Sequence, residues 1–295
     1  MLVTNDSGLP YSTPGTEQRF VNVHGIRMAY RQAGSGPPVV LLHGLAASSL
    51  TWTANMKALG VHHTLYALDL PGHGDSDKPI IDYDIALGVK ILWRFLERIG
   101  EPRVALIGSS SGGLIALRFA LEYPDQVTHL VLVDSAGLGK EVSWAFRLTT
   151  VPLVGEVLLH KAVASVKGLG GRLFKAPQRI DPGLLRALHR ARSVQLASRA
   201  MLAMARTGMG VMGAKKHTYL LPRLGELRAP LLVVWGEDDK VVPVKHAWEV
   251  ARRYPHTPVK ILPDTGHWPH MERADEFNEL VLRFLGAEIP ASVRQ

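Results

Sequence analysis

Ser110 stands at the centre of Gly108-Ser109-Ser110-Ser111-Gly112, between the strand-like run Val104-Ala-Leu-Ile-Gly108 and the helix-like run Gly112–Leu121. In that context a G-x-S-x-G sequence is a sharp strand-to-helix turn. Its central residue takes a strained backbone, and the residues two positions away on each side must be tiny to allow it. The turn lifts the hydroxyl above the sheet, and the helix N-terminus beneath it favours negative charge. A serine so placed suits nucleophilic attack on a carbonyl. A flexible Gly/Ser linker would share the letters but lack the flanking strand and helix. Ser109 and Ser111 read as small fillers of the turn, and the backbone N–H of Ser111 is a natural donor to an oxyanion.

A serine hydroxyl is a poor nucleophile until a base takes its proton, and histidine titrates in the right range. Of 13 histidines, His267 has the best setting, in Asp264-Thr-Gly-His267-Trp268-Pro after the run Val259–Leu262 and before the last helix. His43, beside Gly44 after the run Val39–Leu42, and His73, in Pro71-Gly-His-Gly74, read as residues that shape loops. A carboxylate must then hold the imidazole in one tautomer and stabilise its charged form. Asp239 offers this after the run Leu231–Trp235, and Asp238, Glu237 and Asp134 offer the same chemistry. The N–H of Leu45, in His43-Gly44-Leu45, is a second oxyanion donor, because that loop leaves the first core strand.

These side chains need a scaffold, and the apolar pattern supplies one. Strands are predicted at Val39–Leu42, Leu65–Asp69, Val104–Ile107, Leu130–Val133, Leu231–Trp235 and Val259–Leu262. Helical periodicity falls between or after them, at Ile85–Ile99, Gly112–Leu121, Val244–Tyr254 and Ala274–Leu285. Such alternation builds βαβ units, hence an α/β fold with a mostly parallel central sheet flanked by helices. An antiparallel hairpin around His24-Gly25 precedes it. The alternation breaks once, from about Ala136 to Arg228, where no strand is predicted and the Gly168–Gly171 cluster reads as a turn. The expected organisation is a polar tail at 1–18, a core domain at 19–136 and 229–295, and a helical cap at 137–228 inserted between core strands.

Composition narrows the chemistry further. The 295 residues include no cysteine, which excludes disulfides, thiolate metal sites and a cysteine nucleophile. The net charge of +8 is concentrated: residues 140–228 hold 16 Lys+Arg against 4 Asp+Glu, leaving 18 against 22 elsewhere. That segment has no interleaved aromatics and no nucleic-acid motif, so solvated Arg-rich helix faces are expected and a nucleic-acid partner is not. Steering of anions is the sharper alternative. No run approaches a membrane span, and Met1–Phe20 shows neither a basic leader nor an apolar h-region. A soluble, cytoplasmic protein is expected, with homo-oligomerisation left open.

Together, Leu41-Leu-His-Gly44, Asp69-Leu-Pro-Gly-His-Gly-Asp-Ser76, the Ser110 turn, Trp235-Gly-Glu-Asp-Asp239 with Pro243, and Gly266-His267 resemble the α/β-hydrolase superfamily from about Arg19 to Leu285. The resemblance implies Ser110 as nucleophile, Asp239 as acid, His267 as base, Leu45 and Ser111 as oxyanion donors, and a cap over the site. The order Ser110, Asp239, His267 is the family's order and selects Asp239 among the carboxylates. The reaction implied is hydrolysis of small carboxylic esters of short to medium acyl chain through an acyl-enzyme, with no metal or organic cofactor.

Gly266-His-Trp268 followed by Ala274-Asp-Glu-Phe-Asn278 also resembles the meta-cleavage-product hydrolases, which cut carbon–carbon bonds. Two departures count against that alternative: an oxyanion loop His43-Gly-Leu-Ala-Ala that is not glycine-rich, and Ser109 where those enzymes carry Asn. A non-catalytic ligand-binding member of the fold is the other alternative, and the filled triad positions argue against it. His43, Gly44, Trp268 and the methionines Met204 and Met209 are expected to wall the substrate pocket, methionine because it adapts to irregular shapes.

Overall fold

The computed structural model describes residues 15–163, 173–192 and 195–286, with side chains left aside at 160–163, 192 and 195. Ten strands and ten helices are named in chain order. The strands are β1 (Glu17–Val23), β2 (Ile26–Ala33), β3 (Pro38–Leu42), β4 (Thr64–Leu68), β5 (Val104–Ser109), β6 (Val127–Val133), β7 (Met209–Gly210), β8 (Gly213–Ala214), β9 (Leu231–Gly236) and β10 (Val259–Leu262). The helices of the first half are α1 (Thr53–Leu59), α2 (Ile85–Ile99), α3 (Ser111–Glu122), α4 (Trp144–Leu148) and α5 (Val154–Val163). Those of the second half are α6 (Pro182–Arg192), α7 (Gln195–Gly208), α8 (Lys245–Arg253), α9 (Pro269–Glu272) and α10 (Ala274–Phe284).

Eight strands form one sheet in the order β1-β2-β4-β3-β5-β6-β9-β10. The hairpin β1–β2 and the pair β2–β4 are antiparallel, and every pair from β4 to β10 is parallel. The central strands are apolar along their whole length because helices cover both sheet faces. Along β3, Val40 and Leu42 face one apolar layer and Val39 and Leu41 the other. The first layer also holds Leu92 and Phe95 of α2 and Phe119 of α3; the second holds Trp52, Met56 of α1 and Phe277 of α10. Fully burying one such side chain is worth about 1.5–3 kcal/mol, so the two layers dominate the stability of the fold.

Local signals set the helix ends. The Asp84 carboxylate accepts the Leu87 N–H at 2.7 Å at the start of α2, and Gly100 closes that helix at φ 75°.

Between β6 and β9 lies the helical insertion, α4 to α7. It also contains the two-residue pair β7–β8, which the sequence does not announce: two residues are too short to leave an alternating pattern. In α6 the buried residues are Leu184, Ala187, Leu188 and Ala191, while Arg186 is exposed and Arg190 half-buried. The expected N-terminal tail at 1–18 lies outside the described residues up to position 14, and β1 begins at Glu17. The expected turn at Gly168–Gly171 lies outside them as well.

Candidate active site

The carboxyl ends of β5, β6, β9 and β10 carry the residues of interest. Ser110 follows β5 with φ 54° and ψ −120°, a left-handed conformation that is strained for a residue with a side chain. Backbone bonds hold it there. Its N–H donates to the Val133 carbonyl at 2.9 Å, and its own carbonyl accepts from Ala136 at 3.0 Å and Leu114 at 3.2 Å.

The flanking glycines leave no room for a side chain. A Cβ on Gly108 would stand 2.5 Å from the Gly112 oxygen, and one on Gly112 would stand 2.4 Å from the His43 oxygen. A Cβ on Gly44 would come within 2.8 Å of the Ser110 Cβ. Ser111 opens α3, so its N–H has no carbonyl one turn earlier in the helix to bond.

His267 and Asp239 form a buried pair. Nδ1 of His267 meets Oδ2 of Asp239 at 2.7 Å, and Oδ1 of Asp239 accepts the N–H groups of Val241 at 2.7 Å and Val242 at 3.0 Å. Both side chains are almost fully buried. The carboxylate therefore fixes Nδ1 as the protonated nitrogen and leaves the lone pair on Nε2.

Asp134 joins this pair from the end of β6. It sits at φ 44°, is fully buried, and accepts the Gly236 N–H on Oδ1 at 2.8 Å. One ligand atom each from Asp134, Asp239 and His267 lies within 4.8 Å of the others, the one such grouping among the described residues. One hydrogen bond lies inside it, between His267 Nδ1 and Asp239 Oδ2. Burial, and then the neighbouring Asp239 charge, push the Asp134 carboxyl well above the usual carboxylate range.

The loop that presents His267 is tied to the helical insertion. The His267 N–H donates to the Leu173 carbonyl at 2.7 Å. The buried Glu272 carboxylate accepts the N–H groups of Gly266 at 2.7 Å, Ala176 at 2.8 Å and Lys175 at 2.9 Å. Sequence reasoning missed Glu272, because beside Arg273, Asp275 and Glu276 it carries no signal that sets it apart. Replacing Glu272 by Gln turns one acceptor oxygen into a donor facing N–H groups. We expect Glu272→Gln to lower stability by about 1–3 kcal/mol, read as an earlier urea midpoint. An unchanged midpoint would show that the carboxylate does not tie the two segments.

A cavity of about 90 Å³ opens beside Ser110. Leu45, Ser110 and Ser111 line it from the core, with Ile85, Leu114, Val241 and Val242, while Val142, Phe146, Met204, Ala205 and Met209 close it from the insertion. The expected Met204 and Met209 are thus in the wall. His43, Gly44 and Trp268 are not among the lining residues.

These three serve the loops behind the cavity instead. His43 is fully buried, donates from Nδ1 to the Gly44 carbonyl at 2.8 Å and accepts the Leu70 N–H on Nε2 at 3.0 Å. Gly44 makes room for Ser110. Trp268 packs edge-on against Phe174 with ring centroids 5.2 Å apart. Sequence reasoning also missed the far wall, where His246 meets Glu141 at 3.0 Å. Burial pulls the His246 pKa down, and Lys245 and His246 hold Glu141 at about 2.

The chain belongs to the α/β-hydrolase fold family, whose profile matches residues 37–274, and is a hydrolase of that fold. It is 33% identical to an uncharacterized protein of Mycobacterium tuberculosis over 94% of this chain and 83% of that protein. It is 27% identical to a 2-hydroxy-6-oxononadienedioate/2-hydroxy-6-oxononatrienedioate hydrolase of Comamonas testosteroni, over 92% of this chain and 96% of the other. Among solved structures, a bacterial membrane phospholipase A superposes with a TM-score of 0.71 at 29% identity, over 95% of this chain and 87% of that one. No helix among the described residues is long and apolar enough to cross a membrane.

Proposed function

We propose that the protein hydrolyses small, uncharged carboxylic esters through an acyl-enzyme, with Ser110 as nucleophile, His267 as base and Asp239 as the acid that holds it. The observation that carries this reading is the buried Asp239–His267 pair, 2.7 Å apart, at the same sheet edge as a strained serine that opens onto an apolar cavity. Ser110 Oγ attacks the ester carbonyl as His267 Nε2 takes its proton. The N–H groups of Leu45 and Ser111 receive the developing oxyanion, which is where preorganised donors contribute most. The alcohol leaves with the proton from His267. Water, deprotonated by the same nitrogen, then releases the acid. Every proton and charge in this cycle is handled by the chain itself, so it needs no metal or organic cofactor.

In this reading residues 137–228 form the cap, and Met204 and Met209 set the depth of the acyl pocket. A cavity of about 90 Å³ suits an acyl chain at the short end of the range. The cavity also weighs on the carbon–carbon alternative, whose diketone substrates carry a carboxylate. None of the lining residues among those described is Lys or Arg, and the acid Glu141 is present. The likeness to the dienedioate hydrolase keeps that reading as the competitor.

A panel of p-nitrophenyl esters from acetate to palmitate, run beside a dienoate ring-fission diketone, separates the two. Saturable turnover peaking at acetate to butyrate, with no cleavage of the diketone, is expected. Turnover of the diketone alone would overturn the ester reading.

A further inference from the structure

The Asp239 carboxylate does not stand alone against the imidazole, because a second, fully buried carboxyl shares its site. Oδ1 of Asp134 is satisfied by the Gly236 N–H, but Oδ2 is buried and meets no hydrogen-bond donor among the described residues. What it does have nearby is the Asp239 carboxylate, within the same 4.8 Å grouping. Two carboxylate oxygens facing each other are both acceptors. Their approach in a buried place becomes favourable only when one of them carries a proton.

The surrounding donors decide which one does. Asp239 accepts three N–H groups, from Val241, Val242 and the His267 ring, whereas Asp134 accepts one, from Gly236. Hydrogen bonds to an ionised carboxylate stabilise the charge, so Asp239 is the anion. The other titratable groups around Asp134 reinforce the choice. Glu272 lies close enough to repel a second negative charge, and its carboxylate is fully occupied by backbone amides.

We propose that Asp134 is a positioning residue for the base: a neutral carboxylic acid whose Oδ2–H donates to the Asp239 carboxylate, leaving one negative charge beside His267. This assignment rests on the proposed roles of Asp239 and His267. A fourth donor on Asp239 draws charge away from the side that faces the imidazole. It fixes the plane of the carboxylate and keeps the imidazolium from being held too tightly to return its proton. Asp134 takes a left-handed backbone, φ 44°, and its side chain reaches the Gly236 N–H at the end of β9.

Two measurements test this, and the first needs no activity. Asn at this position supplies the same donor and acceptor without having to retain a proton. In the wild type, the folded state keeps a proton that the unfolded chain releases near pH 4. The stability of a group whose folded pKa is raised is complete below the unfolded pKa and is lost as pH rises toward the folded one. Thermal and urea unfolding of wild type and Asp134→Asn from pH 4 to pH 9 should therefore diverge. The unfolding constant of the wild type should rise relative to the variant by up to about tenfold per pH unit above pH 4. Parallel curves would overturn the proposal, whatever the enzyme turns out to hydrolyse.

The second measurement is the pH profile of kcat/KM for the ester the enzyme prefers. Asp134→Ala removes the donor, so the anion pulls harder on the imidazolium and the acid limb should move to higher pH. Asp134→Asn should return it to the wild-type position. An acid limb unmoved in the alanine variant would show that Asp134 only fills space, and would overturn its role toward the base.

Discussion

Ser110→Ala is expected to lower kcat for the preferred p-nitrophenyl ester by roughly a million-fold while leaving the folded structure in place. The size of the loss follows from what the hydroxyl does in the proposed cycle. Without it no acyl-enzyme forms, and only the oxyanion donors and the binding cavity still act on a bound ester. The small effect on folding follows from the local geometry. The strain at Ser110 lies in a backbone with φ 54°, which alanine shares, and the bonds that hold the turn run through the main-chain atoms of residue 110. The measurement is steady-state hydrolysis together with labelling by a fluorophosphonate, which adds its mass to an activated serine. Loss of both rate and label with an unchanged melting curve is the expected outcome. Turnover within tenfold of wild type would mean that another group performs the attack.

Asp239→Asn is the second large effect, expected at roughly ten-thousand-fold in kcat. The amide has the shape of the carboxylate, but its two ends are not equivalent. The amide oxygen belongs where Oδ1 now accepts the N–H groups of Val241 and Val242, which turns the NH₂ toward Nδ1 of His267. A donor there needs an acceptor, so the ring proton moves to Nε2, and the nitrogen that acts as base in the proposed cycle loses its lone pair to that proton. Fluorophosphonate labelling should slow in parallel with turnover, while ester binding, read as Ki for a non-hydrolysable ketone, should hardly change. A loss below tenfold would pass the role of acid to another carboxylate.

Much of this arrangement was legible in the residues. The parallel strands are continuous apolar runs, and β10 and α2 begin and end where their patterns say. The turn at Ser110 could be read because its glycines answer to a local steric demand. His267 and Asp239 could be read because each follows a strand at the same sheet edge.

What stayed hidden depends on contacts between distant segments. Glu272 looks like one more surface acid until the amides of Lys175 and Ala176, about a hundred positions earlier, are brought onto it. Asp134 could be named as an alternative acid, but its place beside Asp239 is set by the pairing of β6 with β9. His43 and Trp268 adjoin residues of the site in sequence yet turn away from the cavity, because adjacency along a loop does not fix the direction of a side chain.

The pairing of β6 with β9 also orders the assembly of the site in time. The two strands are adjacent in the sheet, but the helical insertion separates them by about a hundred residues of chain, whose ends must be brought together before the pair can form. The serine turn belongs to the half of the sheet that precedes this closure, and Asp239 and His267 belong to the half that follows it. A nascent chain that has built β1 to β6 already displays Ser110 but has nothing to activate it. On the proposed roles, catalytic competence needs this pairing, so recovered activity in refolding reports that the two halves of the sheet have joined.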